Sequence, residues 1–320
     1  MNIQDKLVNV KKLGIAGHVR PDGDCIGSCM ALYNYILENY SDIDVHVYLE
    51  KPDSKFAYIA NIDKSEDVVN DKDFDLFIIV DVSDAERIGV AKDVFDATEN
   101  TLCIDHHVSN TGIAKDNILV SDASSAAEVL YDLLDDDKIS KSVAECLYTG
   151  IIHDSGVFKY SSTTSHTMNI AGKLMDKGIN HTKLIDDGFY SKTYVQNQIL
   201  GRALLESIVF FNGKCIFSAV SKETLELYGV STSELNGIVE QLRLTTGVEC
   251  AIFLYEIGEL EHKISLRSNH IIDCNKVANY FGGGGHVRAA GCTMHGTVHD
   301  VINNLSEKIE QQFLQVEDNA

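Results

Sequence analysis

The sequence predicts an α/β protein of two domains, in which a parallel-sheet domain is followed by a smaller α+β domain. The first half of the chain alternates short β-rich runs with helical patterns, which is typical of a parallel sheet covered by helices. The later part instead contains β-rich runs that are joined by short turns. A length of 320 residues also exceeds that of one typical domain.

Four β-rich runs of the first half are expected to form the parallel sheet. These runs cover residues 13–17, 45–49, 76–80 and 101–104. Segments with apolar residues at helical spacing lie between and after them, and Ser124 or Ser125 is a candidate N-cap for one of these helices. The predicted helices cover residues 27–39, 124–134, 140–153, 164–177 and 182–189.

The later part of the chain has a different pattern of predicted elements. A hairpin is predicted at residues 208–217, because the pair Asn212-Gly213 separates two β-rich runs. A second pair of strands, residues 249–255 and 261–266, flanks Gly258, and residues 298–312 have the spacing of an amphipathic helix. We therefore expect three parts: a first domain, a helical linker and a second domain, at residues 1–190, 191–206 and 207–320.

The charge of the chain limits the class of ligand. The formal net charge is −21, and the longest charge run, Asp135-Asp136-Asp137, is acidic. A protein that binds long nucleic acid usually neutralises many phosphates with Lys and Arg. The sequence has no basic cluster of that kind, so long nucleic acid is not an expected partner. A phosphate compound bound here should be small, and bound cations should carry part of its charge.

The sequence contains no signal for a membrane or for an oxidising compartment. No apolar run approaches the ~20 residues of a membrane-spanning helix, and the N-terminal residues do not resemble a signal peptide. The eight cysteines are scattered singly, and most lie in apolar runs, as expected of reduced structural thiols. We expect a cytoplasmic protein without a membrane partner, and a homodimer is compatible with these features.

Candidate functional residues follow the first predicted strand. The segment from His18 to Asp24 presents one imidazole and two carboxylates, those of Asp22 and Asp24, and it contains the structure breakers Pro21 and Gly23. In open α/β sheets, ligands bind at the carboxyl ends of the strands. An imidazole and two carboxylates at that edge can hold a divalent metal. The alternative is an acidic turn in which Asp24 caps the next helix.

Three further segments place acids and imidazoles where a strand or a helix ends. The third strand is followed by Asp81, the fourth by Asp105, His106 and His107, and an apolar helical run ends in Asp154. Because neighbouring side chains diverge, we expect one of the two histidines to bind a metal and the other to face the substrate. For any single segment, a helix cap or a solvated face is an alternative. The convergence of all four segments at one sheet edge predicts a metal site.

The order of these motifs resembles that of the DHH phosphoesterases, a family named for the Asp-His-His triplet found here at residues 105–107. The resemblance includes the pattern His-x-x-Pro-Asp-x-Asp-x-x-Gly at residues 18–27 and the Asp-Ser-Gly at residues 154–156. Residues 264–268 and 281–291 resemble the signature of the DHH-associated domain. The match covers nearly the whole chain, and its two-domain plan is similar to the nanoRNase/pAp phosphatase branch. It implies an active site in the cleft between the two domains.

The resemblance also implies a site for two manganese ions. His18 and Asp22 would hold the first ion, and Asp81 would bridge the two. The second ion would be held by Asp24, His106 and Asp154. The donor set agrees with manganese, because oxygen dominates and two imidazoles but no thiolate complete it. Magnesium or cobalt could substitute.

Asp81, Asp105 and His107 are the residues that the resemblance places in catalysis. Asp105 would lie behind the ligands and fix the orientation of a neighbouring imidazole. His107 would face the scissile phosphate, where it would stabilise developing charge or assist proton transfer to the leaving oxygen. A pair of divalent cations lowers the pKa of a shared water and neutralises phosphate oxygens during in-line attack.

The second domain carries a candidate phosphate-binding segment. Because Gly282 to Gly285 have no side chains, their N–H groups could approach a phosphate closely and form an anion-binding nest. The alternative is a mobile tight turn. Arginine can bind a phosphate bidentately, and histidine can donate a hydrogen bond or stack on a base. The expected substrate contacts are therefore Arg267, Gly283, Gly284, Gly285 and His286.

The family resemblance implies hydrolysis of very short RNA from the 5′ end to nucleoside monophosphates, with 3′-phosphoadenosine 5′-phosphate (pAp) as a second substrate. Close alternatives are the linear dinucleotide pApA and cyclic di-AMP. A RecJ-like exonuclease on long single-stranded DNA is less favoured, since no basic groove is visible. The glycine-rich second domain argues against an inorganic pyrophosphatase. A metal-dependent nucleotide sensor without turnover belongs to a different class. Such a protein would be expected to lack ligands, and none is missing here.

Overall fold

The computed structural model describes residues 2–317, and the chain divides into two compact units, Met1–Ser191 and Lys192–Ala320. We call them the N-terminal and the C-terminal unit. No helix within the described residues is long and apolar enough to cross a membrane. All eight cysteines are buried and free.

The N-terminal unit is built on a sheet of five parallel strands. The strands are β1 (Lys12–Ala16), β2 (Asp44–Tyr48), β3 (Leu76–Val80), β4 (Thr101–Asp105) and β5 (Asp116–Leu119). Their order across the sheet is β2-β1-β3-β4-β5. Ile15 is in register with Ile78, and Ile78 with Leu102, so the carboxyl ends of the three central strands reach the same edge. The predicted parallel-sheet domain is confirmed.

Helices pack on both faces of this sheet. They are α1 (Ile3–Lys6), α2 (Gly23–Asn39), α3 (Lys92–Ala97), α4 (Ala126–Leu133), α5 (Lys141–Asp154), α6 (Ser165–Asp176) and α7 (His181–Ile185). Successive residues of β3 enter two different cores, as the period of a strand requires. Ile78 and Val80 pack in the larger core with α2, α4 and α5, whereas Phe77 and Ile79 pack in a smaller core with Phe95 of α3.

Two glycines allow close packing around the start of α2. A Cβ atom on Gly27 would lie 2.6 Å from the carbonyl oxygen of Cys146 in α5. A Cβ atom on Gly150 would lie 2.6 Å from both the Cβ atom of Ala127 and Oδ1 of Asp24. Any side chain at these positions would push the helices apart. The absence of side chains therefore lets the first turn of α2 lie against α5 and the start of α4.

Three local features of the N-terminal unit differ from what the sequence predicts. The helix expected from about residue 27 begins at Gly23, because Asp22 is its N-cap and accepts hydrogen bonds from the N–H groups of Asp24 and Cys25 at 3.1 Å. The sequence does not predict β5, since its residues are largely exposed and lack an apolar run. The helix expected at residues 182–189 is α7 followed by a π-helical turn at Asp186–Tyr190.

The C-terminal unit contains a mixed sheet of six strands in the order β10-β11-β9-β8-β7-β6. The strands are β6 (Ile208–Phe210), β7 (Cys215–Val220), β8 (Cys250–Gly258), β9 (Glu261–Ser268), β10 (Gly284–His286) and β11 (Ala289–His295). Its helices are α8 (Tyr194–Leu205), α9 (Lys222–Tyr228), α10 (Ile238–Arg243), α11 (Cys274–Tyr280) and α12 (Val298–Glu317). Within the described part of the C-terminal unit, only β7 and β8 are parallel neighbours.

Turn chemistry and strand periodicity account for this second sheet. The hairpin predicted at Asn212-Gly213 joins β6 to β7, and both residues have positive φ, 52° and 88°. Along β9, Ile264 and Leu266 enter a core with α11 and α12. Arg267 is the residue between Leu266 and the strand end, so it lies on the opposite face of the sheet.

Candidate metal centre

The loop between β1 and α2 supplies His18 and Asp22. His18 is only 5% exposed, and its Nδ1 lies 2.8 Å from the carbonyl oxygen of Val19. Its Nε2 lies 3.7 Å from Oδ1 of Asp22 and 3.5 Å from Oδ2 of Asp81. Asp22, the N-cap residue of α2, is exposed. The carbonyl of Val19 therefore determines which nitrogen of His18 faces the carboxylates.

Asp81 lies at the centre of the cluster. It follows β3 in a left-handed backbone conformation, with φ of 61°, which Asp tolerates better than most residues. The residue is 2% exposed. Its Oδ1 lies 3.7 Å from Nε2 of His106 and 3.6 Å from Nδ1 of His107, and it has no hydrogen-bond partner in the described chain. One oxygen of Asp81 thus faces His18, and the other faces the two histidines after β4.

His106 and His107 turn toward the same carboxylate. Their ring centroids are 4.8 Å apart at an interplanar angle of 55°. The expectation that adjacent histidines diverge is wrong, because β4 ends at Asp105 and strand alternation no longer applies beyond it. Nδ1 of His106 lies 3.3 Å from the carbonyl oxygen of Ala123, and Nε2 lies 3.0 Å from Oδ2 of Asp154. The Nε2 atom makes no well-oriented hydrogen bond in the described chain.

Asp24 is completely buried and does not cap its own helix. Its Oδ2 accepts a hydrogen bond from the N–H group of Ala126 at 2.6 Å, and its Oδ1 accepts one from Ala127 at 3.0 Å. Asp24 therefore accepts from the first two N–H groups of α4, whose N-cap residue is Ser125. The N-cap of α2, the alternative role for Asp24, is Asp22. Oδ2 of Asp24 also lies 4.0 Å from Nε2 of His106. Since a carboxylate oxygen has more than one lone pair, these hydrogen bonds leave capacity for a cation.

Asp105 lies directly behind His107. It has no exposed surface, and its Oδ1 lies 2.7 Å from Nδ1 of His107. Its Oδ2 accepts a hydrogen bond of 2.8 Å from Nδ2 of Asn110, which also donates to the carbonyl oxygen of Val82 at 2.9 Å. The sequence does not predict the role of Asn110, because nothing in the local pattern of a loop shows which carboxylate it meets.

The close contacts shift the ionisation of these groups. Burial raises the pKa of Asp24, and the charges of Asp81 and Asp154 raise it further. Burial likewise raises the pKa of Asp81 to about 6. Burial alone would lower the pKa of His18, but its contacts with Asp22 and Asp81 outweigh that effect and raise the pKa to about 11. The cluster therefore concentrates more negative charge than buried carboxylates tolerate without positive charge nearby.

The donor atoms fit a divalent metal. Among the described residues, three groups have donor atoms within 4.8 Å of one another. The groups are His18 with Cys25 and Asp81; Asp81 with His106 and His107; and Asp24 with His106 and Asp154. Carboxylate oxygen and imidazole nitrogen dominate, which suits a hard or borderline cation. Such an ion would also satisfy Oδ1 of Asp81 and Nε2 of His106, both buried without a hydrogen-bond partner in the described chain.

Cys25 is the weakest donor of these groups. Burial raises the pKa of its thiol, and contact with Cys29 raises it further. Metals bind the thiolate rather than the thiol, so these surroundings oppose coordination. The Sγ atom instead accepts a hydrogen bond of 3.3 Å from the N–H group of His18. Cys25 therefore holds the backbone of His18 in place.

In the C-terminal unit, Arg267 and His286 lie on one face of the sheet. Arg267 of β9 is in register with Ala289 of β11, which is in register with His286 of β10. Directly opposed residues project to the same face. The Cα atoms of the two residues are therefore two strands apart, or ~10 Å. Both side chains lie on the face opposite the one that packs against α11 and α12.

The glycine run does not form the expected nest. The N–H groups of Gly282 and Gly283 donate to carbonyl oxygens at the end of α11, at 3.1 and 2.9 Å. Gly284 and Gly285 belong to β10, an edge strand paired with β11. A Cβ atom on Gly283 would lie 2.2 Å from the carbonyl oxygen of Gly291. Close approach of backbones therefore explains this glycine, and the N–H groups that the nest would need are committed in part to helix capping.

Arg87 is a neighbour of the cluster that the sequence does not predict. One terminal nitrogen, Nη2, lies 3.4 Å from Nδ1 of His18. Arg87 is placed by a short 3-10 turn after β3, and its carbonyl oxygen accepts a hydrogen bond of 2.8 Å from the N–H group of Val19. The only signal in the sequence is its position six residues after Asp81, at the edge of the sheet where ligands bind.

A parallel sheet that delivers carboxylates and imidazoles to its carboxyl edge is the arrangement of a metal-dependent hydrolase. The chain matches the DHH family, N-terminal domain, over residues 12–151 and the DHHA1 domain over residues 212–315. It belongs to the DHH family and is a phosphoesterase. Membership of this family implies a divalent metal, in agreement with the donor groups.

Relatives of known name cover most of the chain. It is 30% identical over 303 residues to the bifunctional oligoribonuclease and PAP phosphatase NrnA of Mycoplasma pneumoniae. This match covers 88% of the present chain and 87% of the Mycoplasma pneumoniae protein. It is 25% identical over 285 residues to the protein of the same name from Bacillus subtilis, and this match covers 87% of the present chain and 88% of the Bacillus subtilis protein. The solved structure of an exopolyphosphatase-related protein from Bacteroides fragilis has a TM-score of 0.86 at 25% identity, over 97% of this chain and 94% of that one.

Proposed function

We propose that this phosphoesterase uses manganese to hydrolyse short oligoribonucleotides from the 5′ end to nucleoside monophosphates, and pAp to AMP. The observation that carries the proposal is the position of Asp81, whose two buried oxygens face His18 on one side and His106 and His107 on the other. One carboxylate between two sets of donors suits a bridge between two ions. The relatives named as oligoribonuclease and PAP phosphatase support the choice of substrate.

The proposed ligand sets are supported in part by the contacts among these residues. His18 and Asp22 would hold one ion, and Asp81 would be shared. Asp24, His106 and Asp154 would hold the other ion, and their donor atoms form one of the groups described above. When bound, such ions supply charge that lowers the pKa of water and neutralises phosphate oxygens. Manganese agrees with mixed oxygen and imidazole donors, and magnesium or cobalt could substitute.

His107 is the proposed contact for the scissile phosphate. Its Nδ1–H group donates to Oδ1 of Asp105 at 2.7 Å, which leaves Nε2 as the nitrogen for the substrate. The hydrogen bond with Asp105 is the first cause that raises the pKa of His107. A histidine that retains its proton can stabilise charge on a phosphate oxygen or protonate the leaving oxygen.

Substrate size is the second part of the proposal. The net charge of −21 opposes a long polyanion, which would need many basic contacts. Arg267 and His286 lie on one sheet face ~10 Å apart, and we propose that they contact phosphate and base of a small nucleotide. Gly283, Gly284 and Gly285 have no side chains and would keep the approach to this face open. All cysteines are free, in agreement with the proposed cytoplasmic location.

A substrate panel tests this function. The purified protein is incubated with manganese and, separately, a diribonucleotide, a long RNA strand, pAp, pApA and cyclic di-AMP, and initial rates are compared. We expect the diribonucleotide and pAp to be hydrolysed faster than the long RNA, with release of monophosphates from the 5′ end. Preference for the long strand would contradict the proposal, and preference for pApA or cyclic di-AMP would replace the named substrate by a dinucleotide. Binding without turnover of any compound would indicate a sensor.

A further inference from the structure

Arg87 is held beside the candidate metal centre by backbone contacts rather than by its own charge. The 3-10 turn Ala85–Arg87 is capped by Asp84, whose side chain accepts a hydrogen bond from the N–H group of Glu86 at 3.1 Å. The carbonyl oxygen of Arg87 accepts a hydrogen bond of 2.8 Å from Val19, the residue after His18. The turn after β3 and the loop after β1 are therefore tied together, and the base of the Arg87 side chain is fixed at the carboxyl edge of the sheet.

Among the residues that the structure describes, the guanidinium group has no good acceptor. Its Nη2 atom lies 3.4 Å from Nδ1 of His18. The carbonyl oxygen of Val19 lies 2.8 Å from Nδ1 of His18, and because a carbonyl oxygen can only accept a hydrogen bond, Nδ1 carries a proton. A nitrogen that already carries this proton cannot accept a hydrogen bond from Arg87. The contact therefore fixes the position of the guanidinium group but does not give its N–H group a hydrogen-bond acceptor.

Arg87 also has no ion pair within the described chain, although it is partly buried and lies beside His18, which itself contacts the carboxylates of Asp22 and Asp81. An arginine presents five N–H donors in a planar fork and has no acceptor. Partial burial of such a group is costly unless an acceptor is supplied. The ligand whose geometry matches this fork is a phosphate group, which binds two parallel N–H donors.

We propose that Arg87 is a substrate-binding residue that donates to a non-bridging oxygen of the phosphate being hydrolysed. The inference rests on the proposed function only in that the substrate is a phosphoester. It adds an arginine of the N-terminal unit to the contacts that the family resemblance implies, which are the metal ions, His107 and residues of the C-terminal unit. Two other roles are physically reasonable: Arg87 could position His18 for metal binding, or water alone could solvate the guanidinium.

Two variants separate these roles. Arg87→Ala removes the fork, and Arg87→Lys keeps the charge but loses bidentate geometry. Lys92→Ala is the matched control, because it removes one positive charge five residues away that pairs with Asp96 on the surface. For each protein, kcat and KM are measured with saturating manganese on a diribonucleotide and on bis(p-nitrophenyl) phosphate. Manganese affinity without substrate, and AMP binding with manganese present, are measured by calorimetry.

The proposal predicts that Arg87→Ala lowers kcat/KM by about 10²-fold on both substrates and weakens AMP binding, while manganese affinity stays unchanged. The kcat/KM of Arg87→Lys should lie between those of Arg87→Ala and the unmodified enzyme. The kcat/KM of Lys92→Ala should equal that of the unmodified enzyme. Loss of manganese affinity together with activity would overturn the proposal in favour of a positioning role. Unchanged activity and AMP binding would overturn it in favour of solvation. If the unmodified enzyme hydrolyses only the artificial diester, the nucleotide proposal fails while the role of Arg87 is still decided.

Discussion

Nδ1 of His107 lies 2.7 Å from Oδ1 of Asp105, a carboxylate with no solvent exposure. The second oxygen of Asp105 accepts a hydrogen bond from Asn110. Both oxygens therefore have a donor, and the imidazole proton of His107 is held on Nδ1. This relationship fixes the tautomer and the ring orientation of the histidine that we propose to meet the phosphate.

Asp105→Asn should break the hydrogen bond between residue 105 and His107 while keeping the size of the side chain at residue 105. The introduced amide must place its NH2 group against either the Nδ1–H group of His107 or the NH2 group of Asn110, and both contacts are repulsive. We expect kcat to fall ~10–100-fold, the usual loss when a carboxylate behind an imidazole is removed. Manganese content, measured by elemental analysis, should be unchanged, because Asp105 is not a proposed ligand. Unchanged kcat would refute the orienting role.

Glu128 should be important for stability and for the second ion. Its buried Oε2 accepts hydrogen bonds from the N–H group of Ser124 at 3.2 Å, from its hydroxyl at 2.5 Å and from the hydroxyl of Thr167 at 2.7 Å. The adjacent carbonyl of Ala123 faces His106. We expect Glu128→Ala to lower the free energy of unfolding by about 3 kcal/mol, because buried donors lose their acceptor, and to weaken manganese binding.

Urea unfolding and calorimetric titration check this prediction. Glu128→Gln keeps an acceptor oxygen and should lose less stability than Glu128→Ala. Asp132→Asn is a matched control in the same helix, since Asp132 is exposed and pairs with His166 rather than with the segment before α4. Equal effects of Glu128→Ala and Asp132→Asn would show that the hydrogen bonds of Glu128 have no special importance.

Gly150→Ala should damage the candidate site through packing. The added methyl group would lie 2.6 Å from Oδ1 of Asp24 and from the Cβ atom of Ala127. We expect a loss of about 1–3 kcal/mol in the free energy of unfolding, as for other overpacked cores, together with weaker manganese binding. Gly172→Ala in α6 is the control, because no atom lies within 4 Å of the added Cβ. It should stabilise by about 0.5–1 kcal/mol. Similar values for both variants in urea unfolding would contradict the packing argument.

Arg267→Ala should affect nucleotide binding more than phosphoester chemistry. A charge-assisted hydrogen bond contributes about 1.5–3 kcal/mol, so KM for a diribonucleotide should rise ~10–100-fold. Hydrolysis of bis(p-nitrophenyl) phosphate, which has no nucleoside to contact, should change far less. Arg202→Ala is the control, since Arg202 is partly exposed and pairs with Glu206, the residue that follows the same helix. Equal losses on both substrates would remove Arg267 from nucleotide recognition.

Much of the N-terminal unit could be predicted because its strands are buried on both faces. A run such as residues 76–80 is apolar throughout, and a polar residue directly after it must lie at the sheet edge. Asp81 was therefore predictable from local pattern alone. By contrast, β5 has little burial, and its structure depends on pairing with β4, which no local pattern reveals.

The remaining differences arise from tertiary contacts. Asp24 reaches the first turn of a helix 102 residues away, so its hydrogen bonds with the N–H groups of α4 are not visible from the residues around it. His106 and His107 converge because β4 ends just before them. The last two glycines of the run belong to strand β10 because β11 lies beside them, whereas the composition of the run equally suits a phosphate-binding turn.

The number of manganese ions bound per chain tests the central claim most directly. The account predicts that the unmodified protein binds two ions, measured by calorimetry and elemental analysis after dialysis. Asp81→Asn should lose most of this binding and its hydrolytic activity, while its backbone conformation at φ of 61° is retained because Asn also tolerates it. A single ion in the unmodified protein, or full metal content and activity in Asp81→Asn, would contradict a site in which Asp81 joins two ions.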